Sequence, residues 1–146
     1  PAQQLAGRLL EPEVLLTDGV LNLMRATFHS EGLRRFVANW EAVWPTLLAG
    51  LERDAARAPG DTDLAALLEE LTEMTESDPR STPTPEDRLL MPLHNVIGDQ
   101  RFELFTTIAT IDAPLDVTVA ELRIETFWPA DAASDAAWKR FISEQP

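Results

Sequence analysis

Through the first half of the chain apolar residues recur every three or four positions, and through much of the second half every second position, so the pattern predicts helices followed by strands. Residues 3–10 read as the end of a helix and Glu13 to Asp18, "EVLLTD", as a short buried strand. In "GVLNLMRATFHS" (Gly19 to Ser30), Val20, Leu23, Met24 and Phe28 fall on one helical face. Ser30 reads as an N-cap. Beyond it Leu33, Phe36, Val37, Trp40, Val43, Trp44, Leu47, Leu48 and Leu51 form the strongest amphipathic stripe in the chain. Pro45 interrupts that stripe. Either the helix kinks there, or Asn39 ends one helix and caps the next with Pro45 in its early part. After "APGD", Asp61 or Thr62 caps a helix with Leu64, Leu67, Leu68, Leu71 and Met74 on one face.

Residues 77–87, "SDPRSTPTPED", hold three prolines and few apolar groups, which predicts an exposed connector or lid. The period then becomes two. "LLMPLHNVI", "RFELFTTIATI" and "VTVAELRIETFW" read as three consecutive strands, joined first through Gly98 and Asp99 and then through "DAPLD". Ser134 is expected to cap a last helix with Trp138, Phe141 and Ile142 inward. No internal repeat is visible.

Side chains two apart in a strand share a face, so Leu122 and Ile124 oppose Glu121, Arg123 and Glu125. A loop over residues 111–115 would set Thr110 opposite Asp116, Glu103 opposite Arg123, Arg101 opposite Glu125, Leu104 opposite Leu122 and Phe102 opposite Ile124. Both faces are then internally consistent. The charges become outward register markers, each cross-strand pair contributing about 0.2–1 kcal/mol, and Leu122 and Ile124 point to the core or pocket.

Composition narrows the chemistry. The 146 residues suit one domain that buries roughly two-thirds of its extended surface. Zero cysteines exclude disulfides, thiolate metal sites and cysteine nucleophiles. A formal charge of −13 repels phosphate backbones, so this segment is not expected to grip nucleic acid itself. No apolar run approaches the roughly 18 residues of a membrane helix, no signal-peptide pattern opens the chain, and a cytoplasmic location follows. The chain begins at Pro1, which reads as a piece of a longer protein.

His29 and His94 stand outside any HExxH or comparable ligand spacing, so no metal and no cofactor is expected. Gly-rich phosphate loops and the Gly-x-Ser-x-Gly elbow are absent, and no catalytic residue is assigned. Arg25 could reach over the core to an anionic group or pair with one of many carboxylates. Phe36, Trp40 and Trp44 could line a cavity, although such a stripe is more often plain core. His94 is a candidate polar contact inside a pocket.

Three strings together resemble one family: "NLMRATFHSEGLRRFVANWEAV" (Asn22 to Val43), "DLAALLEEL" (Asp63 to Leu71) and "LFTTIATIDAPLDVTVAELRIETFWPAD" (Leu104 to Asp131). They are similar to the ligand-binding domain of MmyB-like transcriptional regulators. The resemblance implies an α+β, PAS-like fold, an antiparallel sheet with helices packed on one face. It also implies an Xre-type helix-turn-helix upstream that would carry all DNA contact, and a pocket for an apolar or amphipathic small molecule, a fatty acid for example. Asn22 and Arg25 of "NLMR" and Asn39 and Trp40 of "NWE" are the motif positions that carry over. One departure stands out: the family's pattern places a strand pair and a short helix between "LLTD" and "LNLMR", whereas here Gly19 follows Asp18 directly. Residues missing between the two are the expectation.

The reading is therefore one effector-sensing domain over residues 1–146 of a homodimeric regulator, without membrane contact. Arg25, Phe36, Asn39, Trp40, Trp44, His94, Leu104, Leu122 and Ile124 are its ligand-binding candidates, between sheet and helices. A pocketless dimerisation module of the same regulator is the alternative. A small acid/base enzyme using His94 with a carboxylate stands third.

Overall fold

The computed structural model describes residues 16, 17, 20–81, 91–110 and 123–143. The chain divides into two compact units, Pro1–Pro83 and Thr84–Pro146. The boundary falls inside the proline-rich stretch expected as a connector. The architecture is α+β: four α-helices and a three-stranded antiparallel sheet among the described residues, with a further two-stranded pair.

In the first unit β1 (Leu16–Thr17) pairs with β2 (Val20–Leu21), so Val20 belongs to a strand and not to the helix expected from Gly19 onward. The expected helix at 3–10 and residues 13–15 of the expected strand lie outside the described residues, as do Asp18 and Gly19, where missing residues were expected. Helix α1 (Leu23–Phe28) begins at Asn22, whose side chain accepts the Arg25 N–H at 3.1 Å. Ser30 caps no α-helix. A 3₁₀ turn over Leu33–Phe36 starts instead at Gly32.

Helix α2 (Trp40–Arg57) takes Asn39 as its N-cap residue and contains Pro45, the second of the two arrangements open from sequence. Proline has no N–H to return to the carbonyl four residues back. That carbonyl belongs to Glu41, and it accepts the N–H of Ser81 at 3.0 Å. The orphan acceptor left by the proline is thus a docking point for the segment entering the connector. Helix α3 (Thr62–Met74) is capped by Asp61, which accepts the Leu64 N–H at 2.9 Å. The three helices meet around Phe28, Trp44, Leu48, Leu51 and Leu71, with Met24, Trp40, Leu47, Leu64, Leu67 and Leu68 packed against that cluster. Phe28 and Trp40 meet edge to face at 5.1 Å. Met74 stays largely exposed.

The second unit carries β3 (Leu93–Ile97), β4 (Gln100–Thr110) and β5 (Arg123–Pro129) in the order β3-β4-β5, and helix α4 (Ala132–Ser143). Ile97 pairs with Gln100, so Gly98 and Asp99 form a two-residue hairpin. Gly98 supplies the positive φ (61°) that primed turns need.

The β4–β5 register departs from expectation. Thr110 pairs with Arg123, seven residues beyond the expected Asp116, and Leu104 pairs with Pro129. Seven is odd, so the two faces of β5 exchange. Glu125 now lies opposite Ile108, in the row that includes Leu104 and Phe102, and Ile124 pairs with Ala109 in the other row. The expected pairs Glu103–Arg123, Arg101–Glu125, Leu104–Leu122 and Phe102–Ile124 do not form, because β4 residues 104–110 take 129–123 as partners. The charge pairs that argued for the expected register are worth only tenths of a kcal/mol. The observed one sets Phe105 against Trp128, whose indole N–H donates to Thr107 Oγ1 at 3.1 Å.

Helix α4 also begins differently. Asp131 is the capping side chain, accepting the Ser134 N–H at 2.6 Å, and Ser134 sits inside the first turn. Ser134 is buried, and its Oγ accepts the Glu103 N–H at 3.0 Å, while the Ala130 N–H donates to the Glu103 carbonyl at 2.9 Å. The serine thereby satisfies a sheet N–H beyond the end of β5. Ser134→Ala is expected to strand that N–H and cost about 1–2 kcal/mol. Denaturant unfolding followed on the sheet unit checks this, and a loss below about 0.5 kcal/mol would contradict it. Inward of α4 lie Ala137 and Phe141, with Trp138 and Phe141 around Phe102 at 5.3 and 5.9 Å. Ile142, expected inward, is 48% exposed.

Candidate functional site

In the helical unit two of the sequence candidates, Trp40 and Trp44, are held by one strap of chain. Asp78 is its centre: its carboxylate accepts from Arg34 at 3.0 and 3.1 Å and from the Trp40 indole N–H at 2.9 Å. The Trp44 indole N–H donates to the Pro79 carbonyl at 3.0 Å, and the Arg80 guanidinium lies over the Trp44 ring at 4.9 Å. With Ser81 on the Glu41 carbonyl, four successive residues, Asp78 to Ser81, are tied to α2. The first part of the expected connector is therefore anchored, although Pro79 and Arg80 remain exposed; residues 82–87 lie outside the described residues. Beside the strap runs an open groove of about 330 Å³, with Trp44, Leu48 and Thr75 inside and the exposed Glu52, Glu76 and Arg80 around it.

Arg25 donates from Nε to Glu70 at 2.8 Å, both side chains about one-third exposed. Phe36 ends the 3₁₀ turn, half-buried, with the Arg35 guanidinium 4.7 Å from its ring centre. Asn39 holds the N-cap position of α2. Trp44 is buried, whereas Trp40 is half-buried against Phe28. Core packing and the strap between them absorb most of this aromatic stripe.

In the sheet unit the two faces differ. One carries the buried Phe102 and Leu104 and is covered by α4. Leu104 is on that covered face. The opposite row holds His94, Val96, Glu103, Phe105, Thr107, Thr126 and Trp128, and here Trp128 is 49% exposed. Its indole is fixed by Thr107, so the exposed ring is held in one orientation. His94 Nε2 lies 3.8 Å from Glu103 Oε1 with both side chains near half-exposed, too far for a hydrogen bond between these two atoms. Ile124 falls in this open row by its pairing with Ala109. Leu122 and Glu121 lie outside the described residues.

Two carboxyls depart from ordinary behaviour. Desolvation raises Glu125 from its ordinary value near 4.5: protein surrounds the carboxyl although the residue keeps considerable accessible surface. Asp131 moves the other way, because the Ser134 N–H and hydroxyl stabilise its charged form. The signs follow. A raised carboxyl binds its proton more tightly in the folded state, so acidification through the range just above the ordinary value stabilises the fold. The lowered Asp131 contributes stability at neutral pH that disappears as pH falls through its folded value. Glu125→Gln should therefore leave the sheet unit at least as stable at pH 7 and remove the relative gain on going to pH 5. Denaturant midpoints of both proteins at the two pH values provide the check.

Among the described residues no cluster of three or more His, Asp or Glu side chains could hold a metal ion. None of the described helices is long and apolar enough to cross a membrane. The described residues thus present a sheet face that carries Phe105 and Trp128 together with His94, Arg101 and Glu103, and a small groove bordered by Glu52, Glu76, Asp78 and Arg80. A family model for the MmyB-like transcription regulator ligand binding domain matches residues 2–140. The chain belongs to this family. The match runs across both compact units. An MmyB-like ligand binding domain is a regulatory module of transcription regulators and not a member of an enzyme family. No curated protein and no solved structure matches the chain.

The residue that sequence reasoning passed over is Trp128. Its signal was available in "ETFWPAD", where Phe127 and Trp128 must take opposite faces, but the misplaced register hid which face stayed open.

Proposed function

We propose that this domain is the effector-binding module of a bacterial, cytoplasmic helix-turn-helix transcription regulator, PAS-like in architecture, and that its ligand is a small apolar or amphipathic molecule such as a fatty acid. The observation that carries the reading is the fixed, half-exposed Trp128 on the sheet face opposite α4, flanked by Phe105 and Thr107. An open aromatic ring held by its N–H offers a flat apolar contact for another molecule. Of the candidate residues, Ile124 and His94 share that row and are proposed to face the ligand. Leu122 is proposed with them. Leu104 is assigned to the structural core under α4. Within the helical unit, Arg25, Phe36, Asn39, Trp40 and Trp44 are proposed as ligand-binding positions in their own right, with Asp78 holding Trp40 and Arg34 in place.

Ligand would act by preferring one of two arrangements of a homodimer, which requires different affinity for the two. DNA contact would belong to a separate helix-turn-helix, in keeping with the charge of −13. Catalysis is not part of the proposal. The same exposed face also supports a second reading, in which the domain only dimerises. Native mass spectrometry of protein expressed in bacteria separates the two. An adduct of lipid size supports effector binding; a bare dimer supports the second reading, and a bare monomer sinks both.

A further inference from the structure

The groove beside Trp44 has a feature that hydrophobic ligand binding does not use. Arg80 is exposed and lays its guanidinium over the Trp44 ring, the one face of a buried indole whose N–H is already fixed by the Pro79 carbonyl. The other charges around the same groove are acidic. Asp78 among them is engaged by Arg34 and Trp40, whereas Glu52 and Glu76 are exposed carboxylates outside the ion pairs found among the described residues. A cation is attracted to the electron-rich face of an indole, and carboxylates beside it add to that attraction. Leu48 contributes an apolar wall for a short methylene chain, and about 330 Å³ leaves room for one.

We propose that this groove is a binding site for a guanidinium-bearing organic cation, and that Arg80 is its built-in occupant. The ligand's guanidinium takes the place of Arg80 over Trp44, and a second cationic group on a short alkyl chain meets Glu52 and Glu76. Arg80 then swings outward. The inference is independent of what binds at Trp128.

A resident competitor lowers apparent affinity by the fraction of time it leaves the site open. If Arg80 is seated about nine-tenths of the time, removing it tightens binding about tenfold. The probe is agmatine, a guanidinium and an ammonium joined by a butyl chain, titrated calorimetrically into the wild-type domain, Arg80→Ala, and Arg80→Ala combined with Glu52→Gln and Glu76→Gln. All three positions are exposed, so the variants are expected to fold, and far-UV circular dichroism checks that they do. The expected result is binding about tenfold tighter in Arg80→Ala than in wild type, and loss of that gain in the triple variant. Arg80→Ala binding no tighter than wild type, or a triple variant that binds as well as the single one, overturns the proposal.

Discussion

Replacing Phe28 by alanine is expected to destabilise the helical unit by about 3–5 kcal/mol. Phe28 is fully buried at the centre of the cluster that joins α1, α2 and α3. Truncation removes the transfer energy of the ring and leaves a cavity whose walls include Trp44 and Leu48 of α2 and Leu71 of α3, two helices that cannot both collapse inward. It also removes the edge-to-face contact with Trp40, a term of about 0.5–1.5 kcal/mol within the total. Helix α1 is only six residues long and cannot persist without tertiary contacts. Phe28 is the last residue of that helix, so its loss also loosens the attachment of Arg25 to Glu70. Guanidinium unfolding followed by tryptophan fluorescence reports the change through Trp40 and Trp44. A loss below about 2 kcal/mol would show that the core repacks around the gap.

The second large effect comes from a single methyl group. Gly32 is buried between α1 and the 3₁₀ turn, donating its N–H to the His29 carbonyl at 2.8 Å. A Cβ there would collide with the Ala26 carbonyl oxygen and lie 2.8 Å from the His29 one. Both obstacles are backbone atoms, which no rotamer change can move aside. Gly32→Ala is therefore expected to cost at least about 2 kcal/mol, through a forced backbone shift. Gly60→Ala is the matched control, since nothing lies within 4 Å of its Cβ position, and should stay within about 0.5 kcal/mol of wild type. Equal stability of the two variants would contradict the close approach at Gly32.

Local chemistry was legible in the residues and distant partnership was not. The apolar stripes on α2 and α3 and the Gly98–Asp99 hairpin follow from periodicity and turn preference, which act within four residues, whereas the choice of Asp61 over Thr62 as cap and of Asn39 as the start of α2 is open from sequence and is decided by the structure. The register of β5 does not follow from periodicity or turn preference. With a long excursion between β4 and β5, turn geometry no longer pins the pairing, and weak charge pairs suggested an alignment seven residues from the one adopted. Ser134 resembled a cap because serine suits that role, but Asp131 three residues earlier provides it and frees the serine for the Glu103 N–H. The strap was hidden for a similar reason. A proline in mid-helix announces a missing bond, yet nothing local says that Ser81, forty residues beyond Glu41, donates its N–H to the carbonyl left free.

For the candidate site, the aromatic helix positions were visible as a stripe, and the structure shows much of their bonding capacity consumed by Asp78 and Pro79. Trp128 was passed over, because its exposure depends on the register. The central claim, that the open sheet face carries the effector, rests on that side chain. Fluorine NMR of the domain labelled with 5-fluorotryptophan gives separate resonances for Trp40, Trp44, Trp128 and Trp138, with Trp128 assigned by its loss in Trp128→Phe. On addition of dodecanoate the account predicts a saturable shift of the Trp128 resonance larger than that of Trp138, which lies on the covered face. A Trp128 resonance that stays in place while the ligand binds would contradict it.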